Sequence, residues 1–222
     1  MSDIDAGYKQ IKLQLRGLAP MLINCDRGAN PLEPMNIPIK QITLKGKAKT
    51  EEDLLLLEKL QWKRCFYGNP AKQGVVIPSR TPWAACRDGA KKVRGAPKFV
   101  QGTVLPFQSH VALTKFDGKS EFPPSETMLD DMWEAKNAEG LPRFAETHFV
   151  VTKGSKVPRI RVSIQDWELE TNFSFDPTMV DAAAIVNAMK AAGKYLGLGD
   201  FRPAKSGNYG RFEVVNHWIT ED

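Results

Sequence analysis

Strand–helix–strand units at both ends of this 222-residue chain, with further strands between them, predict an α+β fold. The expected architecture is a ferredoxin-like split βαβ core, with helices on one side of an antiparallel sheet. Two stretches interrupt that order, a Pro- and Lys-rich one at about 21–49 and a Pro- and acid-rich one at about 116–147. They read as large insertions in a single domain spanning 1–222. A hydrophobic content of 42% suffices for a real core, and 26% charged residues is ordinary for a globular protein.

Tyr8 to Arg16 is the first strand: Ile11, Leu13 and Leu15 alternate with Lys12, Gln14 and Arg16. Gly17-Leu18-Ala19-Pro20 ends it. After Met21-Leu22-Ile23, the prolines at 31, 34 and 38 predict a loop, continued by Lys40, Lys45, Lys47 and Lys49. Thr50 then caps a helix, with Asp53 at the capping-box position and three acids at the positive end of the dipole. Leu54 to Leu57, Leu60 and Trp62 are its expected apolar surface. Val75 to Pro78 is a short strand. Ser79 or Thr81 caps a second helix with Pro82 at its first position. Trp83, Cys86, Ala90 and Val93 mark its buried face, and Arg87, Lys91, Lys92 and Arg94 lie on other faces.

Phe99 to Phe107 alternates weakly as a strand. Met128, Leu129, Met132 and Trp133 predict one short helix inside the 116–147 insertion. His148 to Thr152 is a strand, Lys153 to Lys156 a basic turn, and Arg159 to Ile164 a strand. In the last of these Ile160, Val162 and Ile164 face one way, and Arg159 and Arg161 the other. Trp167 to Phe175 alternates as a further strand. Asp176-Pro177-Thr178 opens a helix to about Tyr195, with Met179, Ala183, Val186, Met189 and Lys190 at helical spacing. Arg211 to Val215 is the closing strand.

Between that helix and that strand lies the most informative stretch, Gly197-Leu198-Gly199-Asp200-Phe201-Arg202-Pro203-Ala204-Lys205-Ser206-Gly207-Asn208-Tyr209-Gly210-Arg211-Phe212. A helix C-cap and a solvated turn would need two or three of its glycines. Gly197, Gly199, Gly207 and Gly210 together with Arg202, Lys205 and Arg211 suit a loop that approaches a phosphate backbone, and Phe201 and Tyr209 suit a stacked base. The stretch is not a P-loop, because G-x-x-x-x-G-K-[ST] is absent, nor a dinucleotide fingerprint, because its glycines follow a helix.

Charge points the same way. The net charge is +5, but residues 72–115 hold 8 basic and 1 acidic side chain, whereas 116–147 hold 3 basic and 8 acidic. The basic block calls for a polyanion. The acidic block is either its complement in self-association or a solvated loop. Cys25, Cys65 and Cys86 are odd in number and widely spaced, and His110, His148 and His217 are scattered. Neither a disulfide framework, a metal site nor a cofactor is expected. No apolar run reaches about 18 residues, and Met1 to Asp5 is acidic, so no membrane span or signal peptide is expected and the cytoplasm is the expected compartment.

The helix followed by Gly-Leu-Gly-Asp-Phe-Arg-Pro and Gly-Asn-Tyr-Gly-Arg-Phe resembles the C-terminal glycine-rich loop of the RAMP superfamily, which includes the RNA-binding backbone subunits of CRISPR effector complexes. Most of the chain also resembles a family of uncharacterised phage proteins. The likeness lies in Pro20-Met21-Leu22, Pro31-Leu32, Ile42-Thr43-Leu44-Lys45, Lys49-Thr50-Glu51-Glu52-Asp53, Ile77-Pro78 and Gly89-Ala90-Lys91. The RAMP resemblance implies an RRM-like domain that binds RNA and assembles in copies along it. The residues favour a non-enzymatic, sequence-tolerant binder of RNA or single-stranded DNA, forming a homo-oligomer or filament. Arg202, Lys205 and Arg211 would meet phosphates, Phe201 or Tyr209 would stack, and Lys91, Lys92, Arg94, Arg159 and Arg161 would extend the groove. Two alternatives stand beside it. One is a protein-interaction factor that binds a protein partner, such as an inhibitor or mimic of a CRISPR subunit. The other is a metal-independent endoribonuclease with His148 or His217 and Tyr209.

Overall fold

The computed structural model describes residues 7–94, 103–115, 124–152 and 154–220. In chain order the elements are β1 (Lys9–Gly17), β2 (Met21–Ile23), α1 (Asn36–Leu44), α2 (Glu51–Lys63), α3 (Pro70–Gln73), β3 (Val76–Pro78), α4 (Arg80–Ala90) and β4 (Val104–Pro106). They continue as β5 (His110–Lys115), α5 (Met128–Glu134), β6 (Ala145–Thr152), β7 (Ser155–Ile164), β8 (Glu168–Phe175), α6 (Ala182–Tyr195) and β9 (Phe212–Thr220). The class is α+β, with helices on antiparallel sheets.

The chain divides into two compact units, the first made of Met1–Met21, Val76–Glu121 and Ile164–Asp222, the second of Leu22–Val75 and Phe122–Ser163. The stretches 22–49 and 122–147, set apart by composition, both belong to the second.

In the first unit the sheet runs β3-β5-β8-β1-β9, with β4 also paired to β8 and every pairing antiparallel. Alternation in β1 and β8 works as the sequence predicts. Ile11, Leu13, Leu15, Leu169, Phe173 and Phe175 are buried, and α4 and α6 supply the rest of this core through Cys86, Ile185 and Met189. The opposite face carries ion pairs, Lys12 with Glu170 and Arg16 with Glu168 and Glu213. It also carries Trp218, with Lys12 Nζ 5.6 Å from its ring centroid. That face is therefore balanced in charge rather than basic.

Close approach fixes the helices. A Cβ on Gly89 would overlap the Ala188 carbonyl oxygen, and one on Gly193 the Phe212 carbonyl oxygen. Glycine inside a helix costs about 1 kcal/mol relative to alanine. Here it lets α4 reach α6, and α6 reach β9.

The second unit holds the sheet β2-β7-β6 with α1, α2, α3 and α5. Its core includes Trp62, whose indole Nε1 donates to the Phe144 carbonyl at 2.7 Å, with Phe66 edge-on at 4.9 Å. The short helix expected in the acidic stretch is α5, with Met128 and Met132 buried. The capping box at Thr50 and Asp53 is present in both directions. Lys45 and the Thr50 amide hold the Asp53 carboxyl below its usual range.

Several expectations need correction. The proline-rich stretch is not all loop: residues 36–44 form α1, because Pro38 falls in the first turn, where its missing N–H has no intrahelical partner to lose. Leu54, Leu55 and Leu56 are 53%, 58% and 48% exposed, so they are not the buried face of α2. Ser79 precedes α4 without a side-chain cap, since its hydroxyl donates to the Gln108 carbonyl, and Pro82 sits at the third helical position rather than the first. Asp176 heads a turn through the Thr178 amide, and the last helix starts only at Ala182, capped by Asp181. Met179 is thus outside the helix and exposed, and Lys190 lies on its exposed side. The strand predicted from Arg159 begins already at Ser155 and runs through Pro158. Of the strand predicted from Phe99, residues 99–102 lie outside the described residues, as do 116–123 and Lys153 of the basic turn; Val104–Pro106 is a strand.

Candidate nucleic-acid interface

The glycine-rich loop leaves α6 where Leu196 and Gly197 both donate to the Ala192 carbonyl at 2.9 Å. Gly197 takes φ +69°, Gly199 +78° and Gly210 +66°, the left-handed region that glycine enters without penalty. A Cβ on Gly210 would also overlap the Leu198 carbonyl oxygen, and one on Gly207 that of Phe201. Gly207 is thus required for close approach rather than for an unusual φ.

The loop is tied to itself. Leu198 donates to Gly210, Ala204 to Leu196, Lys205 and Gly207 to Arg202, Ser206 to Pro203, and Tyr209 to Phe201, at 2.7–3.3 Å. The Gly210 amide reaches the Pro20 carbonyl after β1 at 2.7 Å. These amides therefore face protein carbonyls, and a phosphate would be met by side chains. Phe201 and Ser206 have φ +47° and +60°, and they are the non-glycine residues with positive φ among the described residues. A strained backbone of this kind costs about 1–3 kcal/mol and collects at working sites.

The predicted site residues divide between the two units. In the first, Arg202 Nη1 donates to the Gly199 carbonyl at 2.8 Å, which fixes one side of its guanidinium inside the loop. Lys205 and Arg211 are exposed; Phe201 and Tyr209 are half-buried. Lys92 lies just past α4 and lines an open pocket of about 610 Å³ with Tyr195, Leu196, Pro203 and Ala204. Pro203 and Ala204 stand between Arg202 and Lys205, so the structure brings Lys92 to the loop. Lys91 is exposed and pairs with Asp88 at 2.7 Å, and Arg94 is exposed. Asp88, the one acid of the basic block, also binds Arg87 at 3.1 Å, and Arg87 and then Lys91 hold its carboxyl below the usual range.

Arg159 and Arg161 belong to the second unit. Both are half-buried on β7, Arg159 opposite His148 and Arg161 opposite Glu146, and Arg161 Nη1 donates to the Ile160 carbonyl at 3.0 Å.

Sequence reasoning missed Tyr195 and the two helix glycines. Gly89 and Gly193 interrupt helical runs, which is itself a mark of close packing. Tyr195 is the last aromatic before the loop, and its position only becomes informative once Pro203 folds back beside it. Among the described residues no His, Cys, Asp and Glu cluster could hold a metal ion, and no helix is long and apolar enough to cross a membrane.

No protein-family model and no curated protein matches the sequence. Among solved structures, a chain of the type III-B Cmr-beta complex, imaged by electron cryo-microscopy bound to cognate target RNA, is similar at 12% identity with a TM-score of 0.55. The match covers 99% of this chain and 63% of that one, so the present sequence spans under two thirds of its neighbour. Cmr6 from Pyrococcus furiosus is matched at 11% identity and a TM-score of 0.35, over 92% of this chain and 97% of that one. At such identities the likeness to the Cmr-beta chain concerns architecture alone: the chain has an α+β fold similar to that of its neighbour.

Proposed function

We propose that this protein is a non-enzymatic binder of single-stranded nucleic acid, RNA before DNA, with little sequence preference. The core would be a ferredoxin-like split βαβ unit. Its support is the antiparallel order β5-β8-β1-β9, with α4 between β1 and β5 in the chain and α6 between β8 and β9. The observation that carries the functional reading is the meeting of Lys92 with the Arg202–Lys205 turn at the end of a rigid, strained glycine loop. The fold likeness to a subunit of an RNA-bound complex favours RNA. Charged side chains on a preformed loop recognise phosphate without reading bases, which accounts for the low sequence preference.

The test is fluorescence anisotropy with labelled RNA and single-stranded DNA of equal length over a salt series. Each neutralised phosphate contributes about −0.7 to the log–log slope on a single strand. Arg202→Ala with Lys205→Ala is expected to weaken binding and flatten the slope by about 1.4. Unchanged affinity and slope would remove the loop from the interface. Excess protein is expected to leave end-labelled RNA intact, and a 2′,3′-cyclic phosphate product would overturn the non-enzymatic reading. Several copies along one strand, and a phage origin, extend the same proposal. Sedimentation of complexes on RNAs of increasing length tests the first, with mass expected to rise in steps.

A second reading, a protein-interaction factor, is favoured by one observation. Leu32, Ile37, Leu44, Leu54 and Leu55 are all more than half exposed in the second unit. Absence of any anisotropy change at low salt would shift the balance to it.

A further inference from the structure

We infer that the pocket between the end of α6 and the Pro203–Lys205 turn is a stacking site for one unstacked nucleobase, with Tyr195 as its platform. The inference rests on the nucleic-acid reading above. It adds a residue and a contact type that the loop's cations do not supply.

Four features of the site support it. First, Tyr195 is 50% exposed although it ends a helix whose inner face is fully packed, so its ring is presented rather than buried. Second, the opposite wall is preformed. Pro203 has a fixed φ, the Ala204 amide bonds back to the Leu196 carbonyl at 3.2 Å, and a Cβ on Gly197 would come within 2.9 Å of Pro203 Cδ. The turn side of the cleft is therefore fixed without a ligand. Third, its volume of about 610 Å³ falls in the range of small-ligand sites, roughly 300–1,000 Å³. Fourth, its lining mixes polar and apolar surface in comparable amounts, and Lys194 Nζ stands over the Tyr195 ring, 5.0 Å from its centroid.

A cleft of mixed polarity, with a tyrosine in its lining and two ammonium groups close by, suits a flat, weakly polar group joined to an anion. A nucleobase on its sugar-phosphate has that chemistry, with the ring against Tyr195 and the adjoining phosphate toward Lys92 or Lys194. Every base has a π-face, so such a site adds affinity while remaining tolerant of sequence. Purines, with the larger stacked area, should be held more strongly than pyrimidines.

The experiment compares wild type, Tyr195→Phe and Tyr195→Leu on three labelled strands of equal length: oligo(A), oligo(U) and an abasic ribose-phosphate strand. Base–aromatic stacking is worth about 1–3 kcal/mol, so Tyr195→Leu is expected to weaken oligo(A) binding about 5- to 150-fold and oligo(U) binding less. It should leave the abasic strand and the salt slope unchanged, because no phosphate contact is lost. Tyr195→Phe should bind as wild type. Equal loss on all three strands, or no loss on any while wild type still binds, would overturn the stacking site and leave the phosphate-binding loop standing. If wild type binds none of the strands, the nucleic-acid reading falls and this inference with it.

Discussion

Helices α2 and α6 are nearly equal in length, 13 and 14 residues, and both are rich in apolar residues, yet only α6 is packed along its length. It buries Ile185, Val186, Ala188, Met189, Ala192 and Gly193, whereas α2 buries only Trp62 completely. The difference is geometric. Residues advance about 100° around a helix, so four consecutive leucines at 54–57 point in every direction and no single neighbour can cover them. The small residues of α6 recur on one side, and they allow backbones to meet backbones. A helix is buried by the spacing and size of its side chains more than by their total hydrophobicity.

The sharpest break of this comparison is Gly193→Ala. In an isolated helix the change would stabilise by about 1 kcal/mol. Here the new methyl would overlap the Phe212 carbonyl, so α6 and β9 must separate, and a loss of about 3 kcal/mol is expected in urea unfolding. Gly46→Ala, in the second unit, where φ is +55° but open space surrounds the residue, should cost only about 1 kcal/mol. Equal losses would mean that the α6–β9 approach is looser than described.

On α2 the largest single effect should come from Trp62→Phe. The phenyl ring keeps most of the packing but removes the donor to the buried Phe144 carbonyl, at a cost of about 1–3 kcal/mol. Tryptophan fluorescence with chemical denaturation checks this. A loss much below 1 kcal/mol would show that the Phe144 carbonyl finds another donor.

The same contrast explains what the sequence could reveal. Period-two alternation in β1 and β8, the capping box at Thr50, and the helix leading into Gly197 are local patterns, and local physics decides them. Burial in α2 depends on what the rest of the chain places against it, which spacing alone does not state. The sequence pattern starts the last helix at Asp176, but the Thr178 amide and hydroxyl close a turn on that carboxylate, and the helix begins after Asp181, which accepts from the Ala184 amide. The glycine loop was legible as a special backbone through Gly197, Gly207 and Gly210. Its internal bonding was not, and neither was Tyr195, because the pocket needs Pro203 to fold back onto the helix end.

A smaller effect tests the polar side of α2. Lys63 and Lys59 bind Asp130 of α5 at 2.8 and 2.9 Å, and they hold its carboxyl below the usual range, Lys63 first. The carboxyl is 48% exposed, so solvent screening limits the contribution to about 0.5–1 kcal/mol. Its folded pKa lies below its unfolded one. The stabilisation is therefore complete above about pH 4 and lost as pH falls through the depressed value. Asp130→Asn should remove it at pH 7 and narrow the gap to wild type in more acidic solution. A gap that widens on acidification would mean that the pairs do not act as described.

The smallest expected effect is also the one that discriminates best between the two readings of the second unit. Leu54→Gln and Leu55→Gln exchange exposed leucines for a residue of nearly equal helix propensity. Each should change stability by less than about 0.5 kcal/mol, because little buried area is lost. If instead the pair destabilises the protein by a kilocalorie or more in a concentration-dependent way, the leucines are covered in solution by another chain, and α2 is packed as α6 is, but by a partner. Thermal melts at two protein concentrations separate these outcomes. A result independent of concentration and near zero leaves α2 as a helix whose apolar residues outnumber the neighbours available to them.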